Sequence, residues 1–139
     1  MRIAGYIREQ APADPGEPAF AQAERIRRHA ADHALDLVVV CQDAATPGRS
    51  DIAAGFRALL AVVRSGAVEA VVVASLDALG DDAETQEVMV WELRRLGVEV
   101  LSTRQIDQAL LATDTPDATR RTARKVLARV DEVSRRLTG

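Results

Sequence analysis

Three short polar stretches carry most of the residues in this sequence that could do chemistry: Arg8-Glu9-Gln10, Asp43 to Asp51, and Asp77 to Asp82. Each follows an apolar, largely β-branched run, so each is expected at the carboxyl end of a strand. In an open α/β sheet that edge is where ligands gather. A second candidate is His29-Ala30-Ala31-Asp32-His33, whose two histidines lie one helical turn apart, the spacing of zinc-binding helices, with Asp32 placed as a catalytic acid would be. No further Cys, His or Glu cluster supplies a third ligand, and no metal is expected. Neither a Gly-x-Gly-x-x-Gly loop nor a Walker pattern is present, so no nucleotide cofactor is expected either.

The elements that must position these loops alternate between apolar and amphipathic. Ile3 to Gln10 reads as a buried strand running out into a polar loop, and Ala19 to Ala34 as a helix with Phe20, Ala23, Ile26, Ala30 and Ala34 on one face. Asp36 to Cys41 reads as a strand buried on both faces. Asp51 caps a helix that carries Phe56, Leu59, Leu60 and Val63 inward and stops near Gly66. Ala67 to Ala74 is a third strand, Ala83 to Leu96 a helix followed by Gly97, and Val98 to Ser102 a fourth strand. Such alternation means parallel strands joined by right-handed crossovers, hence a three-layer α/β domain with a mainly parallel central sheet.

Residues 104–117 are less regular. From Pro116 a long helix runs to the end, with Thr115 as its cap. The chain therefore divides into an α/β body, residues 1–114, and a basic amphipathic C-terminal helix, residues 115–139, which either packs on the same domain or forms a dimer interface. Val126, Val130, Val133 and Leu137 recur at spacings of 4, 3 and 4, the narrow stripe of a helix–helix seam.

At 139 residues the chain suits one domain, and 47% hydrophobic with 28% charged residues is a globular composition. No apolar run is long enough to cross a bilayer, Met1 leads directly into a strand, and the single cysteine, Cys41, has no partner for an internal disulfide. A cytoplasmic location is expected. Cys41 itself reads as a small core residue, and Trp91 as core or interface. Between Asp117 and Gly139 seven basic residues face three acidic ones, so this segment carries +4 against a total of −3. Such polarity suits a tail for nucleic acid or an acidic partner, or an arm folded onto its own acidic body.

Four stretches in order carry a resemblance: Gly5-Tyr6-Ile7-Arg8-Glu9-Gln10; Asp43-Ala44-Ala45-Thr46-Pro47-Gly48 with Ala53-Ala54-Gly55-Phe56; Leu76-Asp77-Ala78-Leu79-Gly80-Asp81; and Leu93-Arg94-Arg95-Leu96-Gly97-Val98-Glu99-Val100. The sequence is similar to the catalytic domain of the serine recombinases, the resolvases and invertases. That resemblance implies a resolvase-like fold and, in the family, a serine that attacks a DNA phosphate cradled by arginines. Here the serine position is Gln10, which has no ionisable oxygen. The second-loop arginine falls on Ala53 (Ile52 if the register slips by one), and the two arginines after the third strand fall on Ala78 and Asp81. Arg8 and Asp77 remain, expected to pair with each other across the sheet edge. A two-component receiver domain, another parallel α/β fold of this size, needs a lysine after its acidic residues; the single lysine here is Lys125, on the terminal helix.

The resemblance thus implies a catalytically inactive dimerisation, interaction or regulatory module, with association to DNA left open. It would form a homodimer, or a heteromer with a related recombinase. The dimer seam would be Val126, Val130, Val133 and Leu137, and weak phosphate contacts would come from Arg120, Arg121, Arg124, Lys125 and Arg129. No helix-turn-helix follows the terminal helix in this sequence, so sequence-specific DNA reading is not expected of it. Two alternatives stay open: an active recombinase with an atypical nucleophile, for which Ser50 and Ser75 lie on suitable loops, and a non-catalytic nucleic-acid-binding accessory.

Overall fold

The structure, a computed structural model, describes residues 1–9, 17–44 and 54–138. Its elements run β1 (Arg2–Arg8), α1 (Ala19–Asp32), β2 (Asp36–Asp43), α2 (Ala54–Arg64), β3 (Ala70–Val73), a 3-10 turn (Leu76–Leu79), α3 (Ala83–Arg94), β4 (Glu99–Ser102), α4 (Asp107–Leu111) and α5 (Ala118–Thr138). All strand pairs are parallel, in the order β2-β1-β3-β4. The expected three-layer α/β domain with a long C-terminal helix is the observed one.

The period-2 alternation of β1 divides the core. Ile3 and Ile7 pack with Ala70 and Val72 against Ile26 and Ala30 of α1. Ala4 and Tyr6 join Val71, Val73, Phe56, Leu59, Val90 and Leu93 on the opposite face, beneath α2 and α3. Gly5 lies directly under α1, where an added Cβ would stand 3.2 Å from Ile26 Cγ2. The α2 residues expected inward, Phe56, Leu59, Leu60 and Val63, are all buried. Gly66 and Gly97 follow their helices with φ of +78° and +91°, a conformation that costs an L side chain but not glycine.

Three expectations are corrected. β2 is an edge strand rather than one buried on both faces. Its ladder with β1 has a register shift between Ile3 and Ala4 that passes over Val38, which is 48% exposed. A continuous β-branched run gives no sign of which strand will be outermost. Phe20 does not join the apolar face of α1 but stands 78% exposed in its first turn, and Gln22 takes the inward position there. The cap of α5 is Asp117, whose Oδ1 accepts the Arg120 N–H at 2.9 Å; Thr115 is buried and accepts the Asp117 N–H at a long 3.4 Å. Asp51, the expected cap of α2, lies outside the described residues.

α5 docks on α3 through charge. Glu87 of α3 is 2% exposed, and its Oε2 accepts from Arg120 Nη1 at 3.1 Å while its Oε1 accepts from Arg124 Nε at 2.5 Å. Arg120 also donates to Gln86 Oε1 at 2.7 Å, and Arg124 to the carbonyls of Ala112 and Leu110. Further along, Trp91 Nε1–H donates to Asp131 Oδ2 at 2.7 Å, with the Arg95 guanidinium 4.5 Å above the indole. Trp91 is therefore a bridge between α3 and α5. No helix among the described residues is long and apolar enough to cross a membrane.

Removing one member of a buried ionic cluster strands the others without water, which costs more than the cluster contributes when whole. Glu87→Ala is expected to lower unfolding free energy by about 3–5 kcal/mol in urea, whereas Arg121→Ala, on the outer face, should change it by no more than about 0.5 kcal/mol. Equal small effects from both would show that Glu87 does not anchor α5.

Candidate functional site

β1 and β3 are neighbours in the sheet, so Arg8 at the end of one comes close to the 3-10 turn that follows the other. Arg8 Nη2 donates to the Asp77 carbonyl at 3.0 Å and pairs with Asp81 Oδ1 at 2.5 Å. The expected Arg8–Asp77 side-chain pair is not formed. The turn presents the Asp77 backbone carbonyl to Arg8, while its carboxylate lies 3.9 Å from Arg104 Nη1, a loose and largely exposed pair. Arg8, Arg104, Asp77 and Asp81 thus place two cations against two carboxylates. Arg8 is held by an acid where a phosphate-binding arginine would need to be open. Exposed pairs of this kind contribute at most about 1 kcal/mol each, so their consequence is electrostatic cancellation rather than stability.

The other positions fall into two sets. Ala78 is buried in the apolar cluster under α2 and α3, so it brings no polar group to the edge. Ser75 precedes the 3-10 turn in extended conformation, its side chain making no capping bond. Gln10, Ser50 and Ala53 (with Ile52) lie outside the described residues.

What holds this edge in shape is a group of buried polar side chains whose roles the sequence reading missed. Asp43, at the end of β2, accepts the Tyr6 hydroxyl at 2.6 Å on Oδ2, the Phe56 N–H at 2.9 Å on the same oxygen, and the Gly55 N–H at 2.6 Å on Oδ1. It thus serves the free N–H groups of the α2 amino terminus from a different element, where helix polarity also favours an anion. Residue 55 must be glycine, because a Cβ there would run into the Gln42 carbonyl. Asp107 does the same on the other side, accepting Leu76 N–H at 3.0 Å and Ser102 Oγ–H at 2.7 Å. Gln22 Nε2 ties the Arg8 carbonyl to that of Glu17 at 2.9 and 2.7 Å. An aspartate closing a β-branched run twelve residues before Gly55-Phe56 was the available signal for the first of these.

On α5, the two parts of the expected DNA surface separate. Arg120 and Arg124 face inward on Glu87 and are not offered to a phosphate. Arg121 donates to the Pro116 carbonyl, Arg129 lies 3.6 Å from Glu132, and both, with Lys125, are on the exposed side. The stripe Val126, Val130, Val133 and Leu137 is exposed along its whole length, and a groove of about 570 Å³ between α3 and α5 opens beside it, lined in part by Val88 and Val126. His29 and His33 stack with ring centroids 4.1 Å apart, and His33 Nδ1 is bonded to the His29 carbonyl. Burial and then the neighbouring His33 push the His29 pKa down. No group of three metal-ligating side chains occurs among the described residues. Cys41 is buried, its thiol pKa raised by burial and then by Asp43.

Residues 3–139 match the family model described as resolvase, N-terminal domain. Several solved structures share the fold at low sequence identity. The N-terminal catalytic domain of TP901-1 integrase is 19% identical, with 99% of this chain and 98% of that one covered and a TM-score of 0.65. A resolvase family site-specific recombinase from Streptococcus pneumoniae is 20% identical over 99% and 90%, TM-score 0.62. The C-terminal catalytic domain of ISC1926 TnpA, an IS607-like serine recombinase, is 18% identical over 99% and 86%, also at 0.62. No curated protein sequence matches the chain. At these identities the likeness speaks for the fold.

The Tyr6–Asp43 contact has a pH signature. Burial, followed by the hydrogen bond to Asp43 and its charge, raises the Tyr6 pKa far above its ordinary 10.0. The folded state thus holds a proton that the unfolded chain releases first, so the Tyr6 contribution to stability is constant below pH 10 and is lost as pH rises beyond it. Tyr6 is the single tyrosine of the chain, so tyrosinate absorbance should appear only together with unfolding, and Tyr6→Phe should make the alkaline slope shallower, leaving the part due to Cys41, at a cost of about 1 kcal/mol at neutral pH. A folded protein whose tyrosine titrates near its ordinary value would contradict the buried contact.

Proposed function

The chain belongs to the resolvase N-terminal domain family, and from that membership we propose that it is a catalytically inactive, serine-recombinase-like module that acts in the cytoplasm by assembling with a second copy or with a related recombinase. The observation that carries this reading is the neutralised carboxyl edge. Arg8, the family-position arginine that remains, is engaged by Asp81 and by the Asp77 carbonyl. Asp81 stands where the family places an arginine, so a phosphate entering here meets a carboxylate. Gln10 offers no oxygen that could form a phosphoester link. Losing a nucleophile alone costs on the order of 10⁶ in rate in a hydrolase, before the loss of cationic stabilisation is added.

Assembly is supported by α5. Its inward face is ionic and its apolar stripe faces solvent, so the residues able to make a helix–helix seam are not consumed by the chain's own body. Arg121, Lys125 and Arg129, exposed on the same helix, favour a secondary reading in which the module also touches nucleic acid weakly and in a salt-sensitive way.

Incubation with supercoiled plasmid tests the inactivity. The expected outcome is no nicking and no protein covalently attached to DNA, for the native chain and equally for Gln10→Ser, because the cationic cradle is missing as well as the nucleophile. A covalent adduct with the native chain would make it an active recombinase with another nucleophile.

A further inference from the structure

The apolar line of α5 starts earlier than its valines. Thr119 and Ala123 extend Val126, Val130, Val133 and Leu137 toward the amino end at the same alternating spacing of 4 and 3, so one heptad seam spans the helix. At its amino end this line forms one wall of the groove of about 570 Å³, and Glu84 and Val88 of α3 form the other. Val88 is 41% exposed and Val126 59%, so groove and stripe make one continuous apolar surface.

The two rims of that surface carry opposite charge. On the α3 side Glu84, Val88 and Glu92 follow one another at intervals of four and share a ridge of the helix. Neither carboxylate is in an ion pair among the described residues, and Arg95, next along, lies over the Trp91 ring. α5 meets α3 through Arg120, Arg124 and Asp131, which leaves Lys125, Arg129 and Arg136 on the far side of the stripe. There Glu132 answers Arg129 at 3.6 Å and Arg136 at 2.6 Å, one carboxylate for three cations.

Two copies joined face to face at this surface by a two-fold axis have two arrangements. With the axis across the helices, the two α5 run antiparallel and each rim meets its own kind, acid on acid and cation on cation. With the axis along the seam they run parallel, and the acidic α3 rim of each copy lies over the basic rim of the other. α3 and α5 themselves run in the same direction, Glu87 meeting Arg120 and Arg124 while Trp91 meets Asp131 farther on. Glu92 therefore falls near the level of Arg129 of the second copy in the parallel arrangement.

Building on the assembly reading above, we propose that the groove between α3 and α5 is filled by α5 of a second copy of this chain, packed parallel to the first. Glu84 and Glu92 of each copy lie opposite Lys125 and Arg129 of the other. Like-charge repulsion between equal rims disfavours the antiparallel arrangement.

Disulfide trapping and charge reversal on the full chain test this, with light scattering reporting the dimer. Val126 and Leu137 are exposed, and parallel helices set equal residues opposite one another. Val126→Cys and Leu137→Cys should therefore each cross-link like to like on mild oxidation, while the native chain, whose Cys41 is buried, should not. Ala123→Cys mixed with Leu137→Cys, the pair that antiparallel helices centred on Val130 would bring together, should give no mixed disulfide. Glu92→Lys and Arg129→Glu should each raise the dimer dissociation constant about tenfold, and the two combined should bring it back. A dimer that joins position 123 to position 137 and not like to like overturns the proposal while leaving the assembly reading intact. So does a dimer whose combined variant stays as weak as the single ones. A chain that is monomeric at every concentration overturns both.

Discussion

Glu87 is shut between α3 and α5 with Arg120 and Arg124 on its two oxygens, and the course of the last third of the chain follows from that contact. A carboxylate this deeply buried must keep its cations, since water cannot replace them. Because both arginines sit in the first two turns of α5, the helix is fixed in angle and rotation at its start. Arg124 extends the anchorage to the carboxyl end of α4 by donating to the Leu110 and Ala112 carbonyls, and Arg94 adds a bond to the Leu111 carbonyl at 2.8 Å. Farther along, Trp91 and Asp131 hold the middle of the helix. The result departs from the usual amphipathic arrangement: α5 turns Arg120 and Arg124 inward and carries its valines outward, beside the exposed Arg121, Lys125 and Arg129. Binding such a stripe costs little further ordering, because the helix that carries it is already held in place.

The carboxyl edge shows a different use of charge. Asp43, Asp107 and Gln22 satisfy backbone groups at the start of α2, at the start of the 3-10 turn and at the end of β1, so the loops of this edge are held in place. The electrostatics of the edge are balanced rather than positive. Asp81 answers Arg8, and Arg104 loosely answers Asp77, leaving these four groups without a surplus of positive charge. Scaffold and chemistry separate because they depend on different atoms. Buried acceptors must remain or the fold loses its loop anchors, whereas exposed arginines can be exchanged at little cost in stability.

Much of this was legible in the sequence. The order and type of the strands and the helices between them, the inward residues of α2 and the stop signals at Gly66 and Gly97 all came from periodicity and from glycine. The family likeness was readable from Tyr6, Arg8, Asp43, Gly55 and Asp77 in register. What escaped depends on neighbours far along the chain. That β2 is outermost, that Asp43 caps a helix beginning eleven residues later, and that Arg120 and Arg124 are buried against Glu87 are all tertiary facts. An arginine on an amphipathic helix looks the same in sequence whether it meets solvent or a carboxylate, so the basic face of α5 was read as larger than it is. Phe20 erred in the other direction, an apolar residue at helical spacing that the first turn of α1 leaves in solvent.

The central claim is that α5 holds an apolar seam outward for assembly, and light scattering over a range of protein concentrations tests it most directly when the native chain is compared with Val130→Asp. Val130 is solvent-exposed in the isolated chain, so the substitution should leave the single chain folded, with the midpoint lowered only by the stabilisation that assembly adds. The account predicts a native species of twice the chain mass that Val130→Asp reduces to the single chain, still folded. A native chain that stays monomeric at every concentration, also when mixed with a related recombinase, would contradict it.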